Sequence, residues 1–144
     1  MSKCENLSYS EIEVGLEKSF SIVLSRNKID NFLKITGDLQ PLHSDREYSK
    51  LAGYRDIISP GMLTSAFVST LVGVYLPGLN ALLLSQSFKY IESVYPGETL
   101  TIKGTVKKKI DLLSIIIISV KIINIAKELV SIGEVKVKVR SGTE

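Results

Sequence analysis

The sequence predicts an α+β fold in which helices cover one face of an antiparallel sheet. Three observations predict it. The first half of the 144-residue chain carries helical spacing with start and stop signals. From about residue 82 the apolar pattern changes to period two and stays there to residue 140. Between them lies one apolar stretch of helical spacing, opened by Pro60-Gly61 and closed by Pro77-Gly78. No internal repeat, low-complexity run or linker is visible, so residues 1–144 read as one domain, long enough for a sizeable core.

Residues 1–18 have little periodicity and read as an entry segment. Phe20, Ile22 and Leu24 alternate with serines and predict a short strand. Ser25 is placed to cap a helix over 26–36, with Ile29, Phe32 and Leu33 on one face and Gly37 ending it. Ser44 and Glu47 have capping-box spacing, which puts a second short helix directly after His43. Tyr48, Leu51 and Ala52 are its expected inner face, and Gly53 its end.

The longest helix is expected over 61–76. Leu63, Phe67 and Leu71 share one face, and Met62, Ala66 and Val74 another, so the helix is expected to be buried on most sides. Gly61, Ser65, Ser69 and Gly73 recur at spacing four. Such a small-residue stripe lets a helix lie close to a sheet or a second backbone, and chance with ordinary packing accounts for it equally well. Strands follow over 82–94, 98–109, 112–125 and 129–140, with turns at Pro96-Gly97 and near residues 110 and 127. Val135, Val137 and Val139 are expected to face in, with Lys136, Lys138 and Arg140 facing out. Ile115 to Ile118 is apolar on both faces. The long helix is expected to cover one side and a partner subunit's sheet the other.

Composition excludes more than it selects. An apolar fraction of 44% and a charged fraction of 23% are ordinary for a globular chain. The net charge of +3 is no argument for nucleic acid, and suits an anionic substrate such as a phosphate-bearing carrier. Tryptophan is absent and the aromatic residues are scattered, without the aromatic–basic alternation of RNA binders. Lys89, Lys107, Lys108 and Lys109 are candidates for phosphate, against the plainer reading of a solvated surface. The lone Cys4 has no disulfide partner in the chain, which fits a reducing, cytoplasmic compartment. The apolar stretches 62–76 and 112–125 are short and interrupted by polar residues, so neither is read as a membrane span. One histidine and one cysteine leave too few ligands for a metal. No cofactor is called for.

Chemistry concentrates in Thr36 to His43, Thr-Gly-Asp-Leu-Gln-Pro-Leu-His. It holds the sole histidine, His43, five residues after Asp38. Gly37 and Pro41 keep both side chains off long regular elements. A carboxylate and an imidazole on either side of one water can take a proton from it and hand a proton to carbon. The backbone N–H of Gly61, at a helix start, is placed to bind an oxyanion. From spacing alone the plain readings weigh more: a lone loop histidine is commonly just hydrogen-bonded, an aspartate after glycine commonly a turn residue, and a glycine after proline a helix start. No Gly-x-Ser-x-Gly elbow supports a serine nucleophile.

The stretch Thr36-Gly37-Asp38-x-Gln40-Pro41-Leu42-His43 resembles the Gly-Asp-x-Asn-Pro-Leu/Ile-His signature of the MaoC-like (R)-specific enoyl-CoA hydratases and related 3-hydroxyacyl-carrier-protein dehydratases. Residues 57–63, Ser85-Gln86-Ser87-Phe88-Lys89-Tyr90 and Pro96-Gly97-Glu98-Thr99-Leu100 resemble later segments of that family in the right order. The resemblance implies a hot-dog fold, a long helix wrapped by an antiparallel sheet and paired into a homodimer. It implies that Asp38 and His43 form the catalytic dyad and that the Gly61 N–H binds the carbonyl of an acyl-CoA or acyl-carrier-protein thioester. Gln40 stands where the family has Asn, whose amide holds the water, and Pro60 where many members have His. Met62, Phe67 and Phe88 are candidate walls for the acyl chain, against plain core packing. The expected reaction is reversible hydration of a trans-2-enoyl thioester. A thioesterase and a non-catalytic acyl-thioester-binding subunit are the alternatives.

Overall fold

The computed structural model describes residues 3–142. Strand β1 runs Glu17–Leu24, starting earlier than its apolar alternation because Glu17 and Lys18 pair with Thr105 and Gly104. Helix α1 spans Arg26–Thr36. Ser25 Oγ accepts from the Lys28 N–H at 3.3 Å, and Gly37 ends the helix in the left-handed conformation at φ +72°.

Helix α2 is Arg46–Leu51, and its cap differs from the expected one. The chain makes a 3₁₀ turn over Pro41–His43, and the Asp45 N–H closes back on the Pro41 carbonyl at 2.8 Å. Asp45 is therefore the N-cap in place of Ser44, and its Oδ1 accepts from the Tyr48 N–H at 3.0 Å. Its inward face differs too. Ser49 is fully buried and donates to the Leu42 and Asp45 carbonyls, which turns Leu51 out to 90% exposure.

The central helix is segmented rather than continuous. Helix α3, Gly61–Ala66, is followed by a helical turn over Val68–Thr70 and a π-helical turn over Leu71–Tyr75. The π turn is closed by the Leu76 N–H on the Leu71 carbonyl at 2.9 Å. Leu63, Val68, Leu71 and Val72 face the core, whereas Met62 is 71% exposed and Ala66 and Ser69 are also exposed. Burial on most sides is thus not met within one protomer.

Strands β2 (Ala81–Tyr90), β3 (Glu98–Ile110), β4 (Ile115–Asn124) and β5 (Leu129–Val139) complete one antiparallel sheet of order β1-β3-β4-β5-β2. Strand β4 starts later than expected because Asp111–Leu113 forms a 3₁₀ turn, with Tyr9 donating to Asp111 at 2.8 Å. Ile116, Ile118, Val120 and Ile122 of β4 and Val135, Val137 and Val139 of β5 are buried beneath the central helix, and Ile117 is half-buried on the outer face. Lys136 and Arg140 are exposed and Lys138 half-buried. This is the hot-dog arrangement.

One glycine sets how closely helix and sheet approach. A Cβ on Gly104 of β3 would stand 2.7 Å from Leu71 Cδ2, inside contact distance. The leucine it admits is fully buried, which is worth roughly 1.5–3 kcal/mol. The small-residue stripe acts at one end: Gly61 and Ser65 meet Tyr90 of β2, Ser69 is exposed, and a Cβ on Gly73 would meet nothing within 4 Å. At the other edge of the sheet, β2 pairs with β5 and leaves Leu82, Leu83 and Leu84 40% to 50% exposed.

Candidate active site

His43 closes the Pro41–His43 turn, and the backbone of Ile58 fixes it there. The Ile58 N–H donates to the Leu42 carbonyl at 3.0 Å, and the Ile58 carbonyl lies 2.7 Å from His43 Nδ1. A carbonyl only accepts, so Nδ1 carries the proton and Nε2 of the neutral ring presents a lone pair. The His43 side chain is 14% exposed.

Asp38 follows the helix-ending Gly37. Its Oδ1 accepts from the Gln40 N–H at 2.9 Å, which is the turn role its spacing favours. Its Oδ2 lies 3.9 Å from His43 Nε2. That gap is too long for a direct hydrogen bond and fits one water bonded to both atoms, with legs of about 2.8 Å. The turn role and the pairing with His43 therefore coexist on the two oxygens of one carboxylate.

A cavity of about 250 Å³ opens beside His43, and Asp38 is not among its lining residues. His43, Ile58, Gly61 and Thr64 line one part of it, and Tyr90, Val94 and Val130 another. The Ser59 N–H donates to the Val94 carbonyl at 2.7 Å, so the segment that carries Ile58 delivers Gly61 to the cavity wall. Pro60 is the N-cap of α3, and both Leu63 and Thr64 N–H groups return to its carbonyl. As the first helical residue, Gly61 has an N–H that no preceding turn of the helix accepts.

The remaining predicted residues lie elsewhere. Gln40 is exposed; its backbone carbonyl accepts from the His43 N–H at 3.0 Å, and among the described residues its side chain makes no hydrogen bond. Met62 points to the surface. Phe67 lines a separate apolar groove of about 230 Å³ with Phe32, Ile35 and Leu63. Phe88 packs against Gly133 and borders a surface hollow between β2 and β5. Lys109 donates to the Tyr9 and Ile12 carbonyls and sits 4.3 Å from the Tyr9 ring centroid, so it pins the N-terminal segment. Lys107 pairs with Glu134, while Lys89 and Lys108 are exposed.

Sequence reading missed Tyr90 and Ile58. Tyr90 is two residues from Phe88 on the same strand face, a period-two signal that was available. Ile58 acts through its carbonyl, and backbone groups leave no trace in residue identity. Among the described residues no three His, Cys, Asp or Glu side chains converge to hold a metal, and no helix is long and apolar enough to cross a membrane.

A family model described as the MaoC like domain matches residues 9–127. The chain belongs to the MaoC-like dehydratase family. This MaoC-like domain is 31% identical over 98 residues to an (R)-specific enoyl-CoA hydratase of Rhodospirillum rubrum, covering 68% of each chain. Its backbone matches the R-hydratase PhaJ1 from Pseudomonas aeruginosa with a TM-score of 0.90 over 96% of this chain and 89% of that one. At 24% identity that likeness speaks to the fold. The (R)-hydratase from Aeromonas caviae matches with a TM-score of 0.85 and 26% identity, over 89% of this chain and 97% of that one. Members of this family are hydro-lyases, hydratases and dehydratases of acyl thioesters.

Proposed function

We propose that this MaoC-like domain is an (R)-specific enoyl-thioester hydratase, adding water reversibly to trans-2-enoyl thioesters. The observation that carries the reading is the 3.9 Å gap between Asp38 Oδ2 and His43 Nε2, with His43 and Gly61 lining one cavity. Family membership and the named relatives support it.

The chemistry follows from which atoms are free. A water between the two side chains gives one hydrogen to Nε2 and the other to Oδ2, and its lone pair is left for C3 of the enoyl group. As the C3–O bond forms, His43 takes the first proton and the double-bond electrons move into the thioester as an enolate. The Gly61 N–H donates to the enolate oxygen. The imidazolium, stabilised by the Asp38 carboxylate, then returns its proton to C2 and the thioester carbonyl reforms. Net addition is one water, and His43 ends neutral as it began.

The site residues Asp38, His43 and Gly61 are part of this proposal, as is water placement by Gln40, which stands beside the turn. We further propose a homodimer joined along the free edge of β2. The unpaired edge and its exposed leucines support that arrangement. Coenzyme A or a carrier protein as acyl carrier, and a cytoplasmic setting resting on the lone Cys4, complete the reading.

The test is consumption of crotonyl-CoA by the purified protein with chiral analysis of the product. The expected product is (R)-3-hydroxybutyryl-CoA. Release of free thiol without hydration indicates a thioesterase instead, and tight acyl-CoA binding without turnover a binding subunit.

A further inference from the structure

Tyr90 occupies a position the proposed chemistry does not use. Its ring lies flat against Gly61: a Cβ placed there would meet Cγ and Cδ1 at 3.0 Å and Cδ2 at 3.2 Å. Its hydroxyl lies 2.8 Å from Ser65 Oγ, and Ser65 Oγ donates its one hydrogen to the Met62 carbonyl at 3.2 Å. With that hydrogen turned to Met62, Tyr90 is the donor to Ser65. The tyrosine is anchored at both ends, by β2 through its backbone and by α3 through its hydroxyl. It forms part of the cavity wall.

That wall stands beside the N–H assigned to the thioester oxygen, in the cavity that His43 lines. At about 250 Å³ the cavity lies below the roughly 300–1,000 Å³ common for small-molecule pockets. Tyr90 is 49% exposed, so its ring borders the open side of this cavity. We propose that Tyr90, held against Gly61 by Ser65, is the specificity-determining residue that restricts this site to short acyl groups. The inference rests on the hydratase reading for the nature of the ligand, and its test is kept separate from turnover.

The experiment measures binding of the saturated thioesters butyryl-CoA and octanoyl-CoA by calorimetry to the full chain, the Tyr90→Ala and Tyr90→Leu variants, and Tyr90→Phe. The wild type is expected to bind butyryl-CoA more tightly than octanoyl-CoA. Tyr90→Ala and Tyr90→Leu shift the ratio of dissociation constants toward octanoyl-CoA by at least about tenfold, the size of one or two methylenes gaining a pocket. Tyr90→Phe keeps the ring and moves the ratio less than about threefold. Because Leu retains bulk at the strand position, a folded variant is available even if Ala unfolds. An unchanged ratio in the folded variants overturns the inference, as does failure of the wild type to bind either thioester. A chain that binds with this discrimination and never hydrates crotonyl-CoA overturns the hydratase reading alone.

Discussion

The backbone of Ile58 grips the His43 turn from both sides: its carbonyl takes the Nδ1 proton at 2.7 Å, and its N–H holds the adjacent Leu42 carbonyl at 3.0 Å. One residue thus fixes both the position and the tautomer of the imidazole. The same Leu42 carbonyl accepts a second bond at 3.1 Å from the buried Ser49 hydroxyl, which also reaches the Asp45 carbonyl at 2.9 Å. Ser49→Ala removes these two bonds and leaves the Ile58 contact. We expect a loss of about 1–2 kcal/mol in unfolding free energy by urea titration. A fall in kcat well below that of dyad variants is expected alongside it, since the Ile58 grip survives.

Helix-to-sheet spacing is tested at Gly104. An alanine there sets its Cβ 2.7 Å from Leu71 Cδ2 and 3.0 Å from Ile118 Cγ2. Gly104→Ala is expected to cost about 1–3 kcal/mol in unfolding free energy. Combining it with Leu71→Ala relieves the closer contact, so the double variant is expected to be more stable than the sum of the two single losses predicts, by at least about 0.5 kcal/mol.

Acid stability is expected to depend on Asp56. The two hydrogen bonds from Arg46, at 2.8 and 3.0 Å, and then the Ile57 N–H hold its carboxyl at about 2, below the ordinary 3.8. A depressed folded value means the ion pair stabilises the fold fully above the unfolded value and is lost as pH falls through the folded one. The urea midpoint of the wild type is therefore expected to exceed that of Asp56→Asn at neutral pH. The difference shrinks below about pH 4 and closes near pH 2.

Much of this was legible in the sequence. The Ser25 cap, the Gly37 stop and the change to period two set α1 and the sheet to within a few residues. The break at Phe67 and the π turn over Leu71–Tyr75 were not legible, because apolar spacing reports a face and is blind to a shift in hydrogen-bond register. Asp45 displaced Ser44 as cap because the turn before it consumes one more residue than the capping-box pattern assumes. At the site, Asp38 Oδ2 lies 3.9 Å from His43 Nε2, an approach that the family resemblance suggests and that spacing alone does not. Met62 and Phe67 are wall candidates only through the family resemblance, and helical periodicity does not say which helix face meets solvent in a lone protomer.

The exposed edge of β2 makes the assembly testable. Light scattering is expected to give twice the 15.9 kDa chain mass. Leu82→Glu combined with Leu84→Glu puts like charges along the free edge, and the mass is expected to fall to that of one chain.

The most direct measurement of the central claim is kcat for crotonyl-CoA hydration by the wild type, Asp38→Asn and His43→Ala, each verified as folded by circular dichroism. Two groups flanking one water should each be needed, so each substitution is expected to lower kcat by about 10²-fold or more. An active wild type matched in kcat by either folded variant contradicts the account.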